Sequence, residues 1–256
     1  MSKIVEIKNI SSNIIFNKFN ISFPSEKLIY LSGPNNCGKT TLIRILERKI
    51  NSKINVFLNE KEIDTNNLVN YNKIIKCIIP KEITFINNTV EEEIKYYNKK
   101  LVNETDLIKK LKLTRFKKSQ INNLEDKELI KLQLLISLLS KPKILFIDNI
   151  MSYFNQNEIN ELNNILKDYI KEYKTSILIT TLDLNNTIDA DYLIIINDNK
   201  IVLEGEPLKV LEKDNIINKN NLDLPFMIDL SSKLKDYNLI KEIELNKEEL
   251  INKLWK

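Results

Sequence analysis

The sequence contains no histidine, and this absence excludes several kinds of active site. Without an imidazole there is no histidine general base, no Ser–His or Cys–His nucleophile and no histidine ligand for a metal ion. The two cysteines, Cys37 and Cys77, are too few for a disulfide framework and lack the spacing of a metal site. We therefore expect two free thiols and a chemistry that depends on other side chains.

Glycine, arginine and alanine are also scarce, with 3, 3 and 1 copies among 256 residues. Isoleucine, asparagine and lysine together supply 114 residues, a bias typical of A- and T-rich codons, so runs of lysine or asparagine carry little functional weight. In a chain with so little glycine, each glycine is expected to serve a purpose. Two of the three, Gly33 and Gly38, lie five residues apart.

Long hydrophobic runs and one-sided charge are absent as well. No stretch approaches the roughly 20 apolar residues that span a membrane, and residues 1–20 lack the apolar centre of a signal peptide, so we expect a cytoplasmic chain. Lysine and arginine number 39 against 35 acidic residues, and the two signs are interspersed. Because nucleic-acid modules usually concentrate basic charge, we do not expect nucleic acid as a partner.

Residues 33–40, Gly-Pro-Asn-Asn-Cys-Gly-Lys-Thr, match the phosphate-loop pattern GxxxxGK[ST]. An apolar run precedes the loop and a helical pattern follows it, which is the context that such a loop needs. The glycines let backbone N–H groups face the phosphates, the lysine reaches the β- and γ-phosphates, and the threonine can bind Mg²⁺. The predicted nucleotide-binding residues are Gly33, Asn35, Asn36, Cys37, Gly38, Lys39, Thr40 and Thr41.

A second motif lies about 110 residues downstream, at residues 143–148 (KILFID). Four consecutive apolar residues favour a parallel strand that is buried on both faces. In phosphate-loop NTPases an acid at the end of such a strand, called Walker B, holds the Mg²⁺ shell. We therefore predict Thr40 and Asp148 as metal ligands, with ATP and Mg²⁺ as cofactors.

The hydrophobic patterning predicts an α/β phosphate-loop fold with a mostly parallel sheet. We expect an α/β nucleotide-binding core at 1–88 and 141–215, a helical insert at 89–140 and a helical C-terminal extension at 216–256, with two or three short helices after Pro207. Predicted strands lie at 3–7, 14–23, 27–31, 54–58, 74–79, 143–148, 176–180, 192–196 and 200–204, and the helix after the phosphate loop at 42–50.

With these motifs the chain resembles the ATPase subunits of ABC transporters over almost its whole length. Residues 179–207 resemble the switch region and closing strands of that family. Residues 222–239 (LDLPFMIDLSSKLKDYNL) resemble the C-terminal extension of the energy-coupling factor ATPases, which drive vitamin and metal-ion uptake.

The chain departs from the family pattern at the positions that carry catalysis. Asn149 stands where the family has the glutamate that polarises the attacking water, and Leu182 stands where it has the switch histidine. Residues 124–128, Leu-Glu-Asp-Lys-Glu, replace the LSGGQ signature and place Glu125 at its serine position. Lys81 aligns with the Q-loop glutamine, either as a cation near the phosphates or as an ordinary surface lysine. Phe16 is a weak candidate for the aromatic residue that stacks on adenine.

The resemblance implies the ATP-binding subunit of an energy-coupling factor importer that binds Mg-ATP and hydrolyses it poorly. Such a subunit would pair with a second, intact ABC ATPase and dock on a transmembrane subunit through the groove between core and insert, at the inner face of the membrane. One alternative is a soluble, nucleotide-sensing regulatory pseudoenzyme without a transporter. Another is a fully active ABC ATPase whose signature or base lies elsewhere.

Overall fold

The computed structural model describes residues 4–12, 15–97 and 105–255. In these ranges the chain forms ten strands and ten α-helices. The strands are β1 (Ile4–Ile10), β2 (Phe19–Pro24), β3 (Leu28–Ser32), β4 (Asn55–Leu58), β5 (Lys61–Ile63), β6 (Ile75–Ile78), β7 (Ile144–Ile147), β8 (Ser176–Thr180), β9 (Tyr192–Asn197) and β10 (Lys200–Gly205). The helices are α1 (Lys39–Leu46), α2 (Leu68–Ile74), α3 (Val90–Tyr97), α4 (Thr105–Lys110), α5 (Asp126–Leu139), α6 (Gln156–Tyr173), α7 (Pro207–Leu211), α8 (Asp214–Lys219), α9 (Phe226–Asp236) and α10 (Lys247–Leu254).

A six-stranded sheet in the order β10-β9-β3-β8-β7-β6 forms the centre of the molecule. Its strands run parallel except for β10, which pairs antiparallel with β9. Every residue of β3, β7 and β8 is buried. This explains why the sequence shows continuous apolar runs here, since parallel strands are usually covered on both faces. The predicted α/β fold with a parallel sheet is confirmed.

The two faces of this sheet belong to two separate hydrophobic clusters. Leu28 and Tyr30 of β3 point into a cluster with α5, α6 and the insert, whereas Ile29 and Leu31 point into a cluster with α1 and the N-terminal strands. Alternate side chains of one strand thus hold a helical layer on one side and a mixed layer on the other.

The mixed layer contains an antiparallel sheet, β2-β1-β4-β5, whose strands the sequence patterns do not separate from those of the parallel sheet. Here the side chains alternate between buried and exposed, as in Phe19–Pro24. Strand β2 begins at Phe19 rather than near residue 14, because its pairing with β1 reaches only from Pro24 to Phe19. The short strand β5 and helix α2 were not predicted.

The helical segments agree with the sequence patterns in kind and differ at their ends. Helix α1 begins at Lys39, as expected for the helix after the phosphate loop, and ends at Leu46. It stops before the predicted end at residue 50, because Arg48 has a φ of 64° that an α-helix does not accept. Four helices rather than two or three follow Gly205. The residue pattern at 89–101 (TVEEEIKYYNKKL) also predicts a helix, of which α3 is the described part; residues 98–101 lie outside the described residues. The domain boundaries remain predictions.

A buried polar pair fixes the central strand to the longest helix. The Tyr30 hydroxyl donates to Oδ1 of Asn163 on α6 at 2.8 Å, and both side chains are almost fully buried. Burial raises the pKa of Tyr30, so the phenol stays protonated and acts as the donor.

We predict that Tyr30→Phe lowers the free energy of unfolding by about 1–3 kcal/mol, because it leaves the Asn163 oxygen buried without a donor. Urea denaturation measures this change. Tyr237→Phe is the matched control. Because Tyr237 is 77% exposed, this variant should unfold with the same free energy as the wild-type chain. Equal stability of the two variants would contradict this account of the pair.

Candidate nucleotide-binding site

The phosphate loop, residues 33–38, connects β3 to α1 and depends on its two glycines. A Cβ atom at Gly33 would overlap the carbonyl oxygen of Ile196 on β9, so the loop can approach that strand only without a side chain. Gly38 caps α1 with a φ of 105°, and a Cβ there would lie 2.7 Å from Cζ of Phe16. The first N–H groups of α1 have no intrahelical acceptors and, with the helix dipole, favour an anion at this end.

Lys39 lies folded over the loop that precedes it. Its ammonium donates to the carbonyl oxygens of Gly33 at 2.5 Å and Pro34 at 2.8 Å. Burial lowers the pKa of Lys39, while the neighbouring Cys37 sulfur and, to a smaller extent, the Asp148 carboxylate act in the opposite direction. A bound polyphosphate would favour the charged ammonium further, so this lysine suits the role that the sequence predicts.

Asp148 follows β7 at the carboxyl edge of the sheet and is buried. Each of its carboxylate oxygens accepts a hydrogen bond from a threonine hydroxyl. Oδ2 accepts from Thr40 at 2.8 Å, and Oδ1 accepts from Thr180 at 2.7 Å. The predicted metal ligands Thr40 and Asp148 are therefore in direct contact, although 108 residues separate them in sequence. A hydroxyl and a carboxylate are oxygen ligands that Mg²⁺ accepts, so the residues present fit this ion.

These groups surround one cavity of about 460 Å³. Six of the eight predicted nucleotide-binding residues line it, while Gly33 and Cys37 are buried and do not appear in its wall. Asn149 and Leu182, the residues predicted to replace the catalytic glutamate and the switch histidine, lie in the wall as well. The full lining is Ile15, Asn35, Asn36, Gly38, Lys39, Thr40, Thr41, Asp148, Asn149, Thr180 and Leu182.

A family model described as "ABC transporter" matches residues 16–152, more than half of the chain and the whole path from phosphate loop to Asp148. The chain belongs to the ABC transporter family. Among curated proteins it is 26% identical to the energy-coupling factor transporter ATP-binding protein EcfA of Pediococcus pentosaceus, over 97% of this chain and 95% of that protein. It is 25% identical to EcfA1 of Mesomycoplasma hyopneumoniae strain J, over 97% and 93%.

Solved structures share the fold. The chain superposes on CbiO1 of Clostridium perfringens, described as part of the ABC transporter complex CbiONQ, with a TM-score of 0.71. The alignment covers 92% of this chain and all of that one, at 17% identity. At this identity the likeness supports the ABC ATPase fold and no further property.

The sequence predicts that Asn149 and Leu182 replace the ABC catalytic glutamate and switch histidine. Neither side chain can do the chemistry of those residues. Asn149 has a left-handed backbone, with φ 45° and ψ 38°, which asparagine tolerates better than most residues. An amide can donate to or accept from a water molecule but cannot take up its proton. Leu182 is 41% exposed, and its aliphatic side chain offers a γ-phosphate no hydrogen bond.

Lys81 lies outside the nucleotide cavity. It is exposed in the 3-10 turn Pro80–Glu82 and lines a groove of about 900 Å³ between core and insert. Its neighbour Glu82 accepts from Arg44 at 2.7 Å and from Lys49 at 2.8 Å, which ties this turn to the α1 side of the phosphate loop. Of the two interpretations, the surface lysine fits this position better.

The segment that replaces the ABC signature leads into helix α5. Glu125 occupies the N-cap position without a side-chain capping bond, and Asp126 is the first helical residue; both are exposed. Lys127 does not neutralise them, because its ammonium binds the Glu158 carboxylate of α6 at 2.9 Å. The N-terminus of α5 thus presents two carboxylates, whereas the family signature that is predicted to align here has a hydroxyl and glycine N–H groups.

Phe16 does not supply an adenine-stacking surface, and that expectation is wrong. Its ring is 2% exposed and stacks on Phe19, with 5.1 Å between centroids, beneath Gly38 of the phosphate loop. The neighbouring Ile15 lines the cavity instead. No sequence motif indicates Ile15, because its place in the cavity wall depends on how the loop before β2 folds.

Thr180 is the other cavity residue that the motifs did not indicate. It ends β8, which lies beside β7, and Asp148 directly follows β7. The signal was available in principle, since carboxyl ends of neighbouring parallel strands meet at one edge of a sheet. Recognising it requires the strand order, which no single motif contains.

We predict that Gly38→Ala abolishes nucleotide binding and lowers the melting temperature. The φ of this position is unfavourable for alanine and costs about 1–3 kcal/mol, and the added Cβ would also clash with the Phe16 ring. Gly205→Ala is the matched control: its φ is 143°, but the nearest atom, Cγ2 of Val210, lies 3.7 Å away. Thermal melts and titration with a fluorescent ATP analogue measure both effects. Normal nucleotide binding by the Gly38→Ala variant would contradict this account of the loop.

Proposed function

We propose that this chain is the ATP-binding subunit of an energy-coupling factor importer, which binds Mg-ATP and hydrolyses it poorly. The observation that carries the proposal is the contrast within one cavity. The phosphate loop and the Thr40–Asp148 pair are complete, whereas Asn149 and Leu182 occupy the positions of the catalytic base and switch histidine. The full-length similarity to EcfA proteins supports this transporter type.

Nucleotide binding would use groups that are already placed. The ammonium of Lys39 would leave the loop carbonyls for the β- and γ-phosphates, and the N–H groups of α1 would donate to the same anion. Thr40 and Asp148 would hold Mg²⁺, which when bound neutralises phosphate charge. Asn35 and Asn36 are exposed in the wall of the cavity, where they could contact a bound nucleotide.

Weak turnover follows from the two replaced side chains. Loss of a general base commonly costs a factor of about 10²–10⁴ in rate. Asn149 can still orient a water molecule, but the proton must then leave without a protein acceptor at this position. The chain would therefore act mainly by closing on nucleotide and passing that closure to its partners.

Two partners complete this proposal. A second ABC ATPase with intact motifs would form a heterodimer with this chain, and a transmembrane subunit would dock in the groove between core and insert. In the part of the chain that the structure describes, no helix is long and apolar enough to cross a bilayer. Attachment at the inner face of the membrane would then depend on the docked subunit.

The groove suits a short helix of such a transmembrane subunit. Its wall combines apolar side chains, among them the 62% exposed Ile86, with a cation and an acid at Lys81 and Asp126. Its volume of about 900 Å³ is sufficient for several side chains of a partner. The lining residues are Pro80, Lys81, Ile83, Phe85, Ile86, Asn87, Asn88, Ile121, Asn122, Asp126, Leu129, Ile130 and Tyr153.

The rival function, a soluble nucleotide sensor without a transporter, shares the same cavity. Unlike the importer subunit, a sensor of this kind would have no transmembrane subunit docked in the groove between core and insert. The curated relatives are transporter subunits by name, which favours the importer.

The first experiment measures ATP binding and turnover of the purified chain with Mg²⁺. We expect saturable binding that Lys39→Ala abolishes, with turnover at least about 10²-fold below that of an intact ABC pair, because the general base is missing. Co-expression with a candidate partner ATPase should restore turnover. Robust hydrolysis by the chain alone would overturn the proposal.

The second experiment tests the groove. Ile86→Asp should prevent co-purification with the transmembrane subunit while leaving ATP binding unchanged, because it buries a charge in the interface. Leu68→Asp is the control, since Leu68 is 50% exposed on α2 and does not line the groove. Retention of the complex by the Ile86→Asp variant would show that docking occurs elsewhere.

A further inference from the structure

Thr180 is a fully buried threonine whose hydroxyl connects two residues of the nucleotide site. In the parallel register of β7 and β8, Ile147 is paired with Ile179, so Asp148 and Thr180 are the next residues of their strands. This places the threonine hydroxyl beside the Walker B carboxylate. The contact is therefore a consequence of strand order rather than of a flexible side chain.

The hydroxyl of Thr180 is used as both donor and acceptor. It donates to Oδ1 of Asp148 at 2.7 Å and accepts from the backbone N–H of Asn149 at 3.0 Å. The same N–H lies 3.2 Å from the carbonyl oxygen of Thr180, so it is shared between two acceptors. One hydroxyl group thus links the carboxylate and the backbone that follows it.

The first consequence concerns the two oxygens of Asp148. With Oδ1 bonded to Thr180, the carboxylate plane is fixed and Oδ2 is directed to Thr40 at the start of α1. Without the Thr180 hydroxyl, a carboxylate that is only 6% exposed would lose a donor and the restraint on its rotation. Replacing a residue that orients a metal ligand in this way commonly lowers the metal affinity about 10–100-fold.

The second consequence concerns Asn149. Its left-handed backbone is a conformation that non-glycine residues adopt at a cost, and it starts the 3-10 turn Ile150–Tyr153. The bond from its N–H to Thr180 holds this conformation and keeps the side chain in the wall of the cavity. Thr180 therefore acts on both residues that follow β7.

We propose that Thr180 is a positioning residue of the Mg-nucleotide site, which orients the Asp148 carboxylate toward Thr40 and holds Asn149 in its left-handed conformation. The role in Mg²⁺ binding rests on the proposed function. The role in the backbone of Asn149 does not, because it is a property of the chain without nucleotide.

The test compares Thr180→Val, which keeps the shape and removes the hydroxyl, with Thr180→Ser, which keeps the hydroxyl. Thr175→Val is the matched control, since Thr175 is also fully buried and donates to a carbonyl, that of Pro142, at the opposite end of β8. For each purified full-length variant, affinity for a fluorescent ATP analogue is measured with Mg²⁺ and with EDTA.

We expect Thr180→Val to weaken binding about 10-fold or more with Mg²⁺ and to leave binding in EDTA nearly unchanged. The Thr180→Ser variant and the Thr175→Val control should keep the wild-type ratio of the two affinities. Equal losses with and without Mg²⁺, or no loss in either condition, would overturn the assignment to the metal site.

A second measurement keeps the proposal separate from the proposed function. Amide hydrogen exchange of Asn149 in the nucleotide-free chain should be faster in Thr180→Val and unchanged in Thr180→Ser and Thr175→Val. Unchanged exchange in all variants would overturn the backbone role. Failure of the wild-type chain to bind ATP would contradict the nucleotide function while leaving this exchange result to stand by itself.

Discussion

The contact between Thr40 and Asp148 is the constraint on which the site depends. It joins the first turn of α1 to the end of β7 through a hydrogen bond of 2.8 Å. The two residues meet because β3 and β7 flank β8 in one parallel sheet and therefore end at the same edge. Buried apolar strands thus do more than supply a core: their order brings together hydroxyl, carboxylate and loop amides that are distant in sequence.

Within this frame, binding and catalysis make different demands on the chain. Binding needs backbone N–H groups, an ammonium and a carboxylate, all of which the fold itself positions. Catalysis needs a proton acceptor and a donor to the γ-phosphate, which are single side chains that can change without disturbing the strands. In the proposed function Asn149 and Leu182 occupy those two positions, so the chemistry could be lost without disturbing the fold.

The sequence was sufficient for the parts of the structure that repeat a local pattern. Continuous apolar runs located the buried parallel strands to within one or two residues, as at Ser176–Thr180. The antiparallel sheet was not separated from them, because the pairing partners of a strand are not encoded in its own segment. Phe16 shows a similar limit: whether an aromatic ring stacks on a ligand or fills the core depends on the loop packed above it, here at Gly38.

In the proposed heterodimer, the segment at the start of α5 would affect the nucleotide site of the partner. In an ABC sandwich this helix end faces the nucleotide held by the other chain, and its N–H groups and dipole favour an anion. Here Glu125 and Asp126 already occupy that positive end. A carboxylate and a phosphate charge about 4 Å apart repel by about 4 kcal/mol at an effective dielectric of 20. Lys127 does not offset that repulsion, because its ammonium is bound to Glu158. A partner ATPase would therefore have to retain its nucleotide largely through its own phosphate loop, or this segment would have to rearrange on closure.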